Sequence, residues 1–228
     1  MSGDEHSNER RGFLQGAAVA AASFGLTQLA SAAHAAEQSP AGTGAVATEL
    51  QRWLDSIPGK HRQVYDAAEP NGGFALITGY VFLLTGQQGY GVPESELGVV
   101  VVLRHNAIPI GFNDALWEKY RLGEVFKVND PATKAPATRN PFANIKAGDL
   151  PLPEMALDKL SARGVKFGVC NMAIWHYSHV VAQKMGMDHE TVRKEWLSGV
   201  LPGVQVVPSG VLAINGAQAR GCTYCFAG

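Results

Sequence analysis

Residues Leu97–Leu103 read Leu-Gly-Val-Val-Val-Val-Leu, and this run constrains the fold more than any other part of the chain. Four consecutive valines have no polar alternation, so the segment cannot sit half in water. Continuous β-branched runs of this length are found in strands buried on both faces, as in a parallel sheet covered by helices. The run therefore predicts a central strand of an α/β protein.

The remaining elements fit that frame. Short apolar runs at 63–67, 165–169, 204–207 and 223–226 read as further strands. Between them come helical stretches at 74–84, 157–163, 170–175 and 211–219, and a short helix at 111–120 capped by Asn113 or Asp114. Strands alternating with helices give a doubly wound, flavodoxin-like three-layer sandwich with a five-stranded parallel sheet. The expected strand order is 2-1-3-4-5. Residues 49–228 are expected to form one domain. Within it, residues 121–153 form a Pro-rich insertion, with prolines at 131, 136, 141, 151 and 153. A loop so long inside a compact domain is expected to be a lid, an interface arm or disordered.

The N-terminal segment has a different character. Arg10-Arg11 are followed by Phe13-Leu14, an Ala-rich apolar stretch interrupted by Gly16, Gly25 and Thr27, and the small-residue site Ala33-His34-Ala35. This is the pattern of a twin-arginine signal peptide over residues 1–35, which places the mature protein in the periplasm, exported in the folded state. Residues 36–48 have linker composition and are expected to be flexible. No later stretch is apolar for the roughly 20 residues that a membrane span needs, so no stable membrane insertion is expected after signal cleavage.

The chain has 228 residues and a formal net charge of −1, without a basic run, which removes nucleic acid as a partner. It contains no phosphate-binding glycine loop, no Gly-x-Ser-x-Gly elbow and no His-Glu-x-x-His helix. Nucleotide hydrolysis, serine hydrolysis and zinc proteolysis are therefore not leading readings.

Ligands of open α/β sheets sit at the carboxyl ends of the strands, which draws attention to Asp66, His105, Cys170 and Ser209. Cys170 stands at a strand-to-helix junction, where the free amides of a helix start stabilise a thiolate. A small buried hydrophobe is the equally weighted structural alternative. His105 is a candidate base, ion-pair partner or ligand facing Cys170. His176 and His179, three apart on the following helix, could join Cys170 and His105 in a metal or haem site, or be ordinary surface polar residues. Cys222 and Cys225 form a C-x-x-C and are a candidate redox pair. In an extended strand, however, residues three apart point to opposite faces, so a disulfide would require a turn.

Two segments carry a family resemblance. Gly164-Val165-Lys166-Phe167-Gly168-Val169-Cys170 and Pro202-Gly203-Val204-Gln205-Val206-Val207-Pro208-Ser209-Gly210-Val211 resemble the strand-cysteine and strand-turn-helix motifs of the DsrE/DsrF-like sulfur-relay proteins. The order of elements agrees over roughly residues 60–228. The resemblance implies a cysteine, here Cys170, that carries sulfane sulfur as a persulfide between donor and acceptor proteins or small thiols. It also implies a homo-oligomer, a trimer or hexamer. The expected function is thus a periplasmic sulfur carrier, more carrier than turnover enzyme. A metal- or haem-binding protein and a non-catalytic oligomeric scaffold are the alternatives.

Overall fold

The computed structural model describes residues 40–228, with side chains described from residue 44. The expected signal peptide over residues 1–35 lies outside the described residues. Five parallel strands form one sheet: β1 (His61–Ala67), β2 (Leu97–Leu103), β3 (Lys166–Cys170), β4 (Val204–Val207) and β5 (Cys222–Phe226). The helices are α1 (Pro40–Asp55), α2 (Phe74–Tyr90), α3 (Asp114–Lys119), α4 (Leu122–Val125), α5 (Leu157–Ala162), α6 (Asn171–Met185), α7 (His189–Ser198) and α8 (Gly210–Gln218). They cover both faces of the sheet in a three-layer α/β sandwich. No helix among the described residues is long and apolar enough to cross a membrane.

The strand order is 4-3-2-1-5 and not the expected 2-1-3-4-5. The expected order would have put β2 on an edge, paired and shielded along one flank only. Instead β2 pairs with β1 on one side and β3 on the other, and all seven of its residues are buried. Each buried valine contributes on the order of 1.5–3 kcal/mol relative to exposure. The edge beside β1 goes to β5, whose Thr223, Tyr224 and Phe226 tolerate exposure.

The chain advances from β1 to β4 in one direction across the sheet and then returns to β5. With crossovers of constant hand, the return connection must lie on the opposite face. Accordingly Leu76 and Leu83 of α2, Ile174 and Val181 of α6, and Val192 and Trp196 of α7 pack with Val99, Val101 and Leu103 on one face. Ala213, Ile214 and Ala217 of α8 pack with Leu50, Trp53 and Leu54 of α1 against Val64, Val100 and Val102 on the other.

Three local expectations are corrected. Residues 40–48, expected as part of a flexible linker, are helical from Pro40, a residue tolerated in a first helical turn. Burial of Leu50, Trp53 and Leu54 fixes the end of this helix, and propagation toward its start is then inexpensive. Helix α7 was not anticipated. Asp188 caps it by accepting the Thr191 N–H at 2.8 Å, and Trp196 anchors it, edge-on to Phe112 and Tyr120.

The third correction concerns the Pro-rich insertion, which is ordered and packed into the domain. Leu122, Phe126, Val128, Ala137, Phe142 and Leu150 are all buried in the larger core. Asn140, 1% exposed, donates from Nδ2 to the carbonyls of Ile110 and Phe112 at 2.9 and 2.7 Å, and its Oδ1 accepts the Phe142 N–H at 2.9 Å. Arg139 donates to both oxygens of Asp149 at 2.6 and 2.7 Å and to Asp130 at 3.2 Å. Side-chain hydrogen bonds thus replace the ladder that the prolines cannot supply.

One ion pair gives the fold a pH dependence. Arg163 donates to both carboxylate oxygens of Glu94 at 2.8 Å each, and these bonds hold Glu94 below the usual carboxylate range against the opposing effect of burial. A carboxylate depressed in the folded state adds stability above its unfolded pKa and loses it as pH falls. Arg163→Gln is expected to cost about 1 kcal/mol at neutral pH. In urea denaturation that difference should shrink as the pH falls below the unfolded carboxylate range and vanish only once the lowered Glu94 carboxylate of the parent is itself protonated.

Candidate functional site

Four consecutive strands each bring one polar or reactive residue to the carboxyl edge of the sheet. On β2, Val100 and Val102 face the α1/α8 layer, and Arg104 continues that alternation just beyond the strand end. Asp66 follows Val64 on β1, and Tyr224 follows Cys222 on β5, on the same side. Arg104 donates from Nε and Nη2 to the two oxygens of Asp66 at 2.5 and 2.9 Å, and the Tyr224 hydroxyl donates to Asp66 Oδ2 at 2.9 Å. Asp66 is only 4% exposed, so its charge is supported by three hydrogen bonds and one cation. The bonds to Asp66 hold the Arg104 guanidinium above its ordinary pKa against the effect of burial, and the bond to Asp66 likewise raises the Tyr224 hydroxyl.

The row continues to Cys170. Leu103 is the register partner of Val169, so Arg104 and Cys170 are the next residues on neighbouring strands. Cys170 caps α6, its Sγ accepting the Ala173 N–H at 3.4 Å. It is free and 6% exposed. On its other side Cys170 is paired in register with Val207, after which Ser209 caps α8 by accepting the Leu212 N–H at 3.3 Å. Helix α6 leaves β3 over one face and α8 leaves β4 over the other. Cys170 therefore stands where the connections diverge, the position at which open α/β sheets form their ligand crevice. Gly210 begins α8 here, and a Cβ on it would lie 2.8 Å from Arg104 Cβ. Only glycine admits the arginine stem at that distance.

Sequence reasoning had named His105 for the place beside Cys170. Arg104 occupies it, being the first residue after the strand. His105 is exposed, has a positive φ of 46° and starts a 3-10 turn, and its charge neighbour is His176. Burial, then the charges of His179 and His105, lower the pKa of His176. His179 does not join them as a ligand set. Its ring stacks on Trp175, with centroids 6.0 Å apart, and meets His189 edge-on at 4.9 Å, while its buried Nδ1 has no partner among the described residues. Among the described residues no three His, Cys, Asp or Glu side chains converge as a metal site would require.

Cys222 and Cys225 are both free thiols on β5. Cys222 packs into the α1/α8 core, where burial raises its pKa, and Cys225 packs against the opposite core. The extended strand thus separates the two sulfurs onto different faces, and the C-x-x-C is not assembled as a redox pair.

A cleft of about 830 Å³ opens beside this row, lined among others by Glu69, Asn106, Lys127, Phe142 and Gly228. The insertion builds one wall of it. Asn106 ties the floor together, donating to Glu69 at 2.7 and 3.0 Å and accepting from the Tyr177 hydroxyl at 2.6 Å. Cys170 does not line this cleft. The Cys170 sulfur and this cleft are separate features of one sheet edge.

No protein-family profile matches the chain, and no curated protein is similar to it. A solved structure of a protein of unknown function, MTH1491 from Methanobacterium thermoautotrophicum, is similar over 73% of this chain and 98% of its own. The identity is 17% and the TM-score 0.35, a likeness too slight to inform either fold or function.

Proposed function

We propose that this chain is an exported sulfur-relay protein of the DsrE/DsrF-like kind, in which Cys170 carries sulfane sulfur as a persulfide in the periplasm. The observation that carries this reading is the placement of Cys170 at the divergence point of the sheet, with its sulfur accepting an amide of the α6 first turn. Free helix-start amides favour sulfur in its anionic form, whether thiolate or persulfide.

The chemistry is a two-step exchange. The Cys170 thiolate attacks the outer sulfur of a donor persulfide, forming a new S–S bond as the donor's own S–S bond breaks and the donor leaves as a thiolate. An acceptor thiolate then attacks the outer sulfur on Cys170, regenerating the Cys170 thiolate and carrying the sulfur away as a new persulfide. At 6% exposure the sulfur suits a small donor, or a partner that presents its reactive group on a narrow segment.

Intact-mass analysis of the mature protein purified from periplasm, before and after incubation with cysteine persulfide, tests the reading. The expected result is a reductant-labile gain of one sulfur atom, mapped to Cys170 and absent from Cys170→Ser. A Cys170 that stays unmodified while Cys222 or Cys225 takes up the sulfur, or no uptake at all, would overturn it.

A further inference from the structure

We infer that Arg104, fixed by Asp66 and Tyr224, is the positioning residue of the Cys170 site and makes it selective for anionic sulfur groups over neutral ones. This rests on the reading of Cys170 as the reacting sulfur. It adds a residue and a substrate class to that reading.

Three features of the Arg104 side chain support the role. It is the register neighbour of Cys170, and its charge interacts with the cysteine sulfur. Its orientation is determined at both ends, by the two hydrogen bonds to Asp66 and by the stem's packing over Gly210. Nε and Nη2 are the nitrogens that bond Asp66, and Nη1 donates to no residue among those described, although the side chain is only 19% exposed. A guanidinium oriented by a buried carboxylate, with one nitrogen bonded to no described residue and a cysteine at the end of the neighbouring strand, is arranged to receive a negative charge. Tyr224 strengthens the arrangement by occupying the remaining capacity of Asp66 Oδ2, so the carboxylate has less to offer an incoming group.

The alternative is that the ion pair merely ties β1 to β2. The two roles separate in the alkylation of Cys170 by iodoacetate, an anion, and by iodoacetamide, its neutral isostere. In both reactions the sulfur displaces iodide from the same carbon, so the ratio of the two rates cancels accessibility and thiol ionisation and reports local charge. Rates are followed on the full mature chain by peptide mapping of Cys170.

Arg104→Gln is expected to lower the iodoacetate-to-iodoacetamide ratio about fivefold, and Arg104→Lys to keep it within about twofold of the parent. A ratio unchanged in Arg104→Gln would overturn the inference. Should that variant fail to fold, the unmodified protein still decides the matter. Raising the salt from about 0.02 to 0.5 M should lower the ratio several-fold, and a ratio indifferent to salt would overturn the inference equally. Because alkylation needs no sulfur donor, a protein that fails to take up sulfane sulfur would sink the relay reading while leaving Arg104 testable.

Discussion

Asn140→Leu is expected to destabilise the protein by about 3–5 kcal/mol, lowering the thermal midpoint by roughly 10 °C. Leucine keeps the branching and heavy-atom count of asparagine, so no cavity is left at this buried position. The cost arises because the carbonyls of Ile110 and Phe112 and the N–H of Phe142 lose their partner in the interior. Each buried group left unpaired costs about 1–3 kcal/mol, and partial relaxation keeps the sum below three times that value. Far-UV circular dichroism melts of parent and variant would measure it. A midpoint within a degree or two of the parent would mean that the insertion is held by its apolar residues alone.

Gly123→Ala is expected to be at least as damaging, by more than about 3 kcal/mol, for a different reason. A Cβ at residue 123 would lie 2.2 Å from the Ala137 carbonyl oxygen and 2.4 Å from the Ala137 nitrogen. Both are backbone atoms, and the same stretch is already tied by the bond from the Ala137 N–H to the Val128 carbonyl at 2.9 Å. No side chain can turn aside, so the start of the insertion must part from its middle, and overpacking of this kind lacks a cheap relaxation. Limited proteolysis offers a second readout. The variant should be cut within residues 121–153 at a protease concentration that leaves the parent whole, and resistance equal to the parent's would show that the backbone can absorb the methyl group. Both variants act on the wall of the cleft and leave the sequence around Cys170 untouched, so in protein that remains folded the Cys170 alkylation ratio should hold.

The α/β class was legible in the sequence because its strongest signal, the valine run of β2, is a statement about burial on two faces, and burial on two faces allows few architectures. The order of the strands was also implicit there. A strand buried on both faces sits poorly on an edge, and the order 2-1-3-4-5 put it on one. Helix α7 was missed because Glu190, Arg193, Lys194 and Glu195 make it strongly polar. Its buried residues are only Val192 and Trp196, and the ring partners of Trp196, Phe112 and Tyr120, lie some eighty positions away. The insertion was misjudged because proline content reports where backbone ladders are impossible, and says nothing of side chains such as Asn140 that do the same work.

The candidate site was half visible. Cys170 could be placed at a strand end by local pattern alone, and its cap on α6 followed. Arg104 was passed over for the neighbouring histidine, although it is the first residue beyond β2 and shares the parity of Val100 and Val102. Tyr224 could not have been found, because its contact with Asp66 exists only if β5 lies beside β1, which the expected order denied.

That adjacency also bears on how the protein comes into being. The hydroxyl of Tyr224 and the carboxylate of Asp66 are 158 residues apart along the chain, and the first and last strands of the sheet are neighbours. During synthesis β1 through β4 can emerge and pair in sequence, but one flank of β1 must wait until nearly the whole domain has left the ribosome. The docking of β5 closes the longest loop in the sheet, and such non-local pairings slow the folding of a domain. Until it happens Asp66 lacks its tyrosine and Tyr65 lacks its strand neighbour Cys225. The carboxyl-edge row is thus among the last parts of the molecule to be completed, and a chain released early would carry Cys170 without the finished charge arrangement beside it.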